Sequence, residues 1–190
     1  TGKVLLEGYG LSETSPGVTV SPAYTEKFSG TVGLPIPNTE ISIRDDDGNS
    51  VAQGESGELC AKGPQVMSGY WNNAEATAEC MTSDGYFKTG DVAMLDEHGF
   101  FHIVDRKKDM IIVSGFNVYP NEIEAEVAKM SGILESACIG VIDEKTGEAV
   151  KLFVVTDKGS ADANITEQDV INFCRQGLTA YKVPKQVMFI

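Results

Sequence analysis

Apolar and polar residues alternate over short stretches in the first half of the chain. Glu40–Arg44 puts Ile41 and Ile43 on one side of an extended segment, the period-2 signature of a half-buried strand. It stops at Asp45-Asp46-Asp47-Gly48-Asn49, residues that supply the positive-φ positions of a tight hairpin turn. Residues 57–62 and 100–104 read as further short strands, and residues 73–81 as a short helix ended by Ser83-Asp84-Gly85. Short strands separated by Gly, Asp and Asn predict a small barrel or folded-over sheet.

The period changes in the second half. Residues 110–113 read as a strand, and Pro120 suits the first turn of a helix. Glu122, Glu124 and Glu126 place negative charge near that helix's positive end. Ile123, Val127 and Met130 share one face, and Gly132 can stop the helix. Residues 137–142 and 150–156 read as strands joined by a turn over 143–148. Thr166 and Asp169 have capping-box spacing ahead of a helix whose apolar face is Val170, Phe173, Cys174 and Leu178, with Pro184 beyond it. The expected fold is α+β, with a small barrel or folded-over sheet in the first half and a small α/β domain in the second.

Charge sharpens that division. The 190 residues carry 15 Lys plus Arg against 28 Asp plus Glu, a net charge of −13. Residues 1–104 hold 5 basic and 15 acidic side chains, and residues 105–190 hold 10 and 13. This balance argues against nucleic acid as a partner, which calls for a basic footprint. The four cysteines, Cys60, Cys80, Cys138 and Cys174, form no Cys-x-x-Cys pair, and neither His98 nor His102 lies near one in sequence. A zinc site or disulfide frame is not expected, and such scattered cysteines suit a reducing cytoplasm. The longest apolar runs are about four residues, where a membrane span needs ~20.

Glycine makes up 20 of the 190 residues and clusters in short motifs. In chain order these are Glu7-Gly8-Tyr9-Gly10-Leu11-Ser12-Glu13-Thr14, Gly57-Glu58-Leu59 through Gly69-Tyr70-Trp71 and Lys88-Thr89-Gly90-Asp91, followed by the glycine-free charged motif Asp105-Arg106-Lys107-Lys108-Asp109. They resemble successive signatures of the adenylate-forming superfamily, which contains acyl-CoA synthetases, luciferases and peptide-synthetase adenylation domains. The run from Val104 through Gly115-Phe116-Asn117-Val118-Tyr119-Pro120 to Glu124 looks most like bacterial long-chain fatty acid–CoA ligases. A single such motif is as common in ordinary turns, and Asp105–Asp109 alone would read as a solvated charge run. Five in the same order, spanning essentially the whole chain, are specific.

The resemblance implies that residues 1–104 are the end of a large adenylation domain, a sheet remnant plus a small distorted β-barrel subdomain, and that residues 105–190 are a mobile C-terminal α/β domain. It also implies a role for each matching residue. Tyr9 would lie on adenine, Ser12 at the α-phosphate, and Glu13 on Mg²⁺ as a hard oxygen ligand. Asp91 would take the ribose diol through charge-assisted hydrogen bonds, with Arg106 on the other side and Ile103 against the base. Lys108 matches the hinge position, where a solvated charged residue tolerates changing φ and ψ. Gly115 and Phe116 would line the path of the CoA thiol arm, on what otherwise reads as a strand-to-helix turn. Gly10 would form the floor of the acyl pocket. Tyr70 and Trp71 are expected in the core, Glu58 as a strand-edge acid supporting the barrel, and His98 and His102 without a role.

The implied substrates are ATP, CoA and a fatty acid, with Mg²⁺, and no catalytic residue falls within 1–190. The family's Ser/Thr/Gly-rich phosphate loop is expected before residue 1, and its catalytic lysine some twenty residues beyond Tyr181-Lys182-Val183-Pro184-Lys185. The chain is therefore expected to be a C-terminal piece of a larger cytoplasmic ligase and inactive by itself. Peripheral association of that parent with the inner membrane face, and a homodimer through an exposed sheet edge, remain open. So do a ligase for an aryl or medium-chain acid and a non-catalytic nucleotide-binding or regulatory module.

Overall fold

The computed structural model of the chain describes residues 3, 5–24, 30–157 and 165–190. The chain divides into two compact units, Thr1–Lys107 and Lys108–Ile190. Each has its own hydrophobic cluster, and among the described residues no helix is long and apolar enough to cross a membrane.

In the first unit, β1 (Gly8–Gly10), β2 (Gly17–Val20) and β3 (Leu34–Pro35) form an antiparallel sheet in that order. A second antiparallel sheet is a meander of β4 (Glu40–Arg44), β5 (Ser56–Lys62), β6 (Phe87–Leu95) and β7 (Phe101–Arg106), with α1 (Ala74–Cys80) inserted between β5 and β6. Both sheets are open among the described residues, where the sequence suggests a small barrel. A bridge from Gly33 to Phe101 links one to the other. Val18, Ile43, Leu59, Ala61, Ala93 and Phe101 are buried between them. The turn after β4 is the expected one: Gly48 has φ +83°, and Arg44 bridges Ser50 across it. The side chain of Asn73 caps α1 by accepting from the Ala76 N–H at 3.1 Å.

β6 is nine residues long and has no counterpart in the sequence reading, because Lys88-Thr89-Gly90-Asp91 breaks its alternation. The structure accounts for the break. Glu58 pairs with Val92 and Cys60 with Lys88, so Leu59 alone faces Thr89, Gly90 and Asp91. These three residues bulge out of the strand, with Gly90 at φ +76°.

In the second unit, β8 (Ile111–Val113) and β9 (Phe116–Val118) form a hairpin, and α2 (Pro120–Val127) follows directly. β10 (Ile133–Asp143) and β11 (Gly147–Thr156) make a longer hairpin than expected, α3 (Glu167–Gly177) crosses the sheet, and β12 (Gln186–Phe189) returns parallel to β11. Thr166 and Asp169 form the expected capping box of α3. α2 ends at Val127 instead of reaching Met130. Lys129 and Met130 donate to the carbonyls three residues back, tightening the last turn out of α-helical geometry. Met130 still packs on the core formed by Ile111, Ile123, Leu152, Val154, Val170 and their neighbours. Burying side chains such as Ile123 or Leu152 contributes about 1.5–3 kcal/mol each.

Candidate functional site

The bulge in β6 turns Asp91 toward β1. The Tyr9 hydroxyl donates to Asp91 Oδ2 at 2.6 Å, joining residues far apart in the chain. Burial first, and this hydrogen bond second, raise the Tyr9 hydroxyl well above the ordinary phenol range. Asp91 is buried, at 8% exposure. Across the sheet it pairs with Arg106 on β7, whose Nε lies 3.8 Å from Asp91 Oδ1 while its side chain is 65% exposed. Asp91 Oδ1 thus keeps acceptor capacity for a ligand hydroxyl. Ile103, on the same strand as Arg106, packs with Tyr9 against the core of this unit. Of the six nucleotide and metal residues expected from sequence, Tyr9, Asp91 and Arg106 meet in one cluster.

Ser12 and Glu13 sit on the turn Ser12–Thr14 that follows β1. Thr14 anchors it: the buried hydroxyl takes the Leu11 N–H at 3.0 Å and donates to Pro16 O at 2.6 Å. Ser12 is exposed and Glu13 half-buried. Glu13 Oε1 accepts the hydroxyl of Tyr70 at 2.9 Å, and the Glu13 carbonyl accepts the Met67 N–H. Its hydrogen bond to the Glu13 carboxylate raises the Tyr70 hydroxyl above its usual value. Tyr70 and Trp71 are not core residues as expected from sequence. They are 39% and 91% exposed, on a turn closed by a Tyr70–Asn73 bridge, where Asn72 at φ 51° carries the chain back.

Gly10 has a structural reason to be glycine. A Cβ there would lie 1.8 Å from the Pro16 carbonyl oxygen and 2.7 Å from its carbon. The close approach of the chain on itself after β1 leaves no side-chain volume at this position, whatever lies beside it.

Sequence reasoning missed how Glu58 and Lys107 are used. Glu58 stands on an interior strand, not an edge. It accepts the Gly90 N–H at 3.2 Å and Lys107 Nζ at 3.0 Å, and Lys107 also reaches Asp46 at 2.9 Å. Burial works against the Lys107 cation, but the hydrogen bonds to Asp46 and Glu58 outweigh it and raise its pKa. The signal was present as a motif, Gly57-Glu58-Leu59, but the partners lie in distant segments. His102 takes a local partner, with Nε2 2.9 Å from Asp96 Oδ2.

Lys108, Gly115 and Phe116 belong to the second unit. Lys108 is exposed on the turn Lys107–Asp109. Gly115 lies in a two-residue hairpin loop, not a strand-to-helix turn: Ser114 at φ 53° and Gly115 at φ +84° connect Val113 to its partner Phe116. Phe116 is 56% exposed and stacks on Tyr181, with ring centroids 4.7 Å apart and planes at 21°. Lys182 beside it is held by Glu122 at 2.6 Å.

The family profile described as AMP-binding enzyme matches residues 1–71, and the one described as AMP-binding enzyme C-terminal domain matches residues 122–190. The chain is 58% identical over 189 residues to a long-chain-fatty-acid–CoA ligase of Salmonella typhimurium, covering 100% of this chain and 33% of that protein. It is 57% identical over 189 residues to one of Yersinia pestis, with the same coverage. The chain thus spans about a third of the length of the curated relatives it matches. The crystal structure of ATP-bound MatB from Rhodopseudomonas palustris superposes with a TM-score of 0.92 at 40% identity, covering 100% of this chain and 37% of that one. With both profiles matched in order and relatives this similar along its whole length, the chain belongs to the AMP-binding enzyme family.

Proposed function

We propose that this chain is the nucleotide-handling and hinge-bearing part of a long-chain fatty acid–CoA ligase, with a segment of the large adenylation domain over 1–104 and the mobile small domain over 105–190. The observation that carries the reading is the cluster of Tyr9, Asp91 and Arg106. An aromatic ring, a buried carboxylate with a spare acceptor oxygen and an exposed guanidinium converge as a nucleoside requires, on the motifs that match the family. The names of the relatives supply the acyl and CoA specificity.

In the first half-reaction a carboxylate oxygen attacks the α-phosphorus of ATP. The bond from phosphorus to the bridging oxygen breaks, leaving acyl-AMP and pyrophosphate. In the second, the CoA sulfur attacks the acyl carbon, the bond to AMP breaks, and the thiol proton leaves with the products. Such chemistry depends on positioning and charge neutralisation. Tyr9 and Ile103 hold the base, Asp91 and Arg106 the ribose, and Ser12 the α-phosphate. Lys108 is the pivot that changes the small domain's orientation, and Gly115 and Phe116 line the thiol's path. Gly10 borders the acyl pocket.

Among the described residues no group of three or more His, Cys, Asp or Glu converges to hold a metal. The single Glu13 carboxylate, with one oxygen engaged by Tyr70, fits a cation that takes most of its ligands from phosphate and water, as Mg²⁺ does. Bound there, Mg²⁺ would neutralise charge on the phosphates.

The test is palmitate-dependent ATP–pyrophosphate exchange by the 190-residue chain beside a longer protein that carries it together with a phosphate loop and a lysine motif. Exchange is expected only in the longer protein. Exchange by the 190-residue chain would refute its inactivity, and silence of the longer protein across a carboxylic-acid panel would refute the ligase reading. Activity confined to an aryl or medium-chain acid would reassign the substrate.

A further inference from the structure

Two matched motifs bring no reacting group to the site: Gly57-Glu58-Leu59, and the Lys107 that ends the first unit. Yet the Glu58 side chain is only 12% exposed, and each carboxylate oxygen takes one donor. The Gly90 N–H reaches Oε1 and Lys107 Nζ reaches Oε2. Gly90 immediately precedes Asp91, and Lys107 immediately follows Arg106. Asp91 and Arg106 face each other across β6 and β7. One carboxylate therefore holds the backbone N–H before Asp91 and the side-chain ammonium of the residue after Arg106.

The Asp91 side of this arrangement is built with care. The bulge that aims Asp91 has its middle residue, Gly90, in the left-handed region, and the Gly90 N–H is the group Glu58 holds. Thr89 fixes the flank, donating to the Leu59 carbonyl at 2.8 Å and accepting the Asp91 N–H at 3.2 Å. On the Arg106 side, Lys107 is held by Glu58 and Asp46 together. Bulges beside functional sites re-aim side chains, and this one is pinned at its centre by a charge-assisted hydrogen bond.

We infer that Glu58 is a positioning residue of the nucleotide site, setting Asp91 through Gly90 and Arg106 through Lys107. The inference rests on the reading that Asp91 takes the ribose hydroxyls, and it assigns Glu58 no contact with substrate. Ribose recognition gives it a readout that a purely structural role does not move, the preference for ATP over 2′-deoxyATP.

The experiment uses the longer ligase and compares wild type with Glu58→Gln, Lys107→Met and Asp91→Asn. It measures steady-state kinetics and equilibrium binding of ATP and 2′-deoxyATP. Glu58→Gln keeps the shape and an acceptor for Gly90 but removes the charge that holds Lys107. The expected result is an ATP KM and dissociation constant raised about 10-fold, with kcat little changed. The preference for ATP over 2′-deoxyATP narrows, and Lys107→Met, at a half-exposed side chain, gives a smaller shift in the same direction. If Asp91→Asn narrows the preference while Glu58→Gln and Lys107→Met leave it at the wild-type value, the inference is overturned. A uniform fall in kcat and thermal stability with unchanged preference overturns it equally. If Asp91→Asn itself leaves the preference intact, it is the ribose reading that fails. Should Glu58→Gln not fold, Lys107→Met decides alone.

Discussion

Tyr9 donates a hydrogen bond from its hydroxyl to a carboxylate that is itself buried, so the two side chains act as one group. Asp91 without that donor would leave a buried carboxylate oxygen short of a partner, and Tyr9 without the carboxylate would bury a bare hydroxyl. Tyr9→Phe retains the ring and its packing and removes only the bond. It is expected to lower the unfolding free energy of the chain by about 1.5–3 kcal/mol, the range for hydrogen bonds to charged groups. Urea titration followed by far-UV circular dichroism measures this, and an unchanged midpoint would show that the bond does not form in solution. The motifs singled out Tyr9, Asp91 and Arg106, but their mutual contacts were not legible, because pairing across a sheet is invisible in a linear pattern. Trp71 shows the opposite error. An aromatic residue beside a tyrosine reads as core, yet the turn that carries it leaves it 91% exposed. Gly10 was legible as a motif glycine, but the Pro16 carbonyl that excludes a side chain there appears only once the chain folds back.

Elements with regular periodicity were legible close to their ends, as with β4, the short helix α1 and the α3 capping box. β6 was not, because a bulge interrupts its alternation, and β9 was not, because three residues after a hairpin turn carry too little pattern. The buried thiols on these elements give a pH prediction. Cys60 on β5 and Cys174 on α3 are both 1% exposed or less, and burial pushes each thiol from 9.0 up to about 11. In the unfolded chain they ionise near the ordinary value while the folded chain holds them protonated. Their contribution to stability is therefore complete below about pH 9 and declines as pH rises toward 11. Urea midpoints measured from pH 8 to 10.5 should fall with pH. The fall should be shallower in a Cys60→Ala/Cys174→Ala double variant, whose absolute stability is lower because of the cavities. Equal slopes in the two proteins would show that other groups set the alkaline limit.

Two cores in one chain have a consequence for how it unfolds. Among the described residues, the buried cluster of the second unit runs from Ile111 to Val187 and draws none from the first, and the cluster of the first runs from Val18 to Phe101 and draws none from the second. The charge shift near residue 104 pointed to two modules, and the structure divides the chain between Lys107 and Lys108. What the sequence could not show was whether each part closes its own core, since that depends on which strands pair. In the second unit β11 pairs with β10, β8 and β12, and α2 and α3 bury Ile123, Val127, Val170 and Cys174 against that sheet. Residues 108–190 exceed the ~40-residue size below which a domain needs disulfides or metal for stability. Expressed alone, they are therefore expected to fold. The signs would be a cooperative urea transition and slow reaction of Cys138 and Cys174 with a thiol reagent until that transition. A fragment that binds a hydrophobic dye and melts without cooperativity would show instead that its core depends on the residues before Lys108.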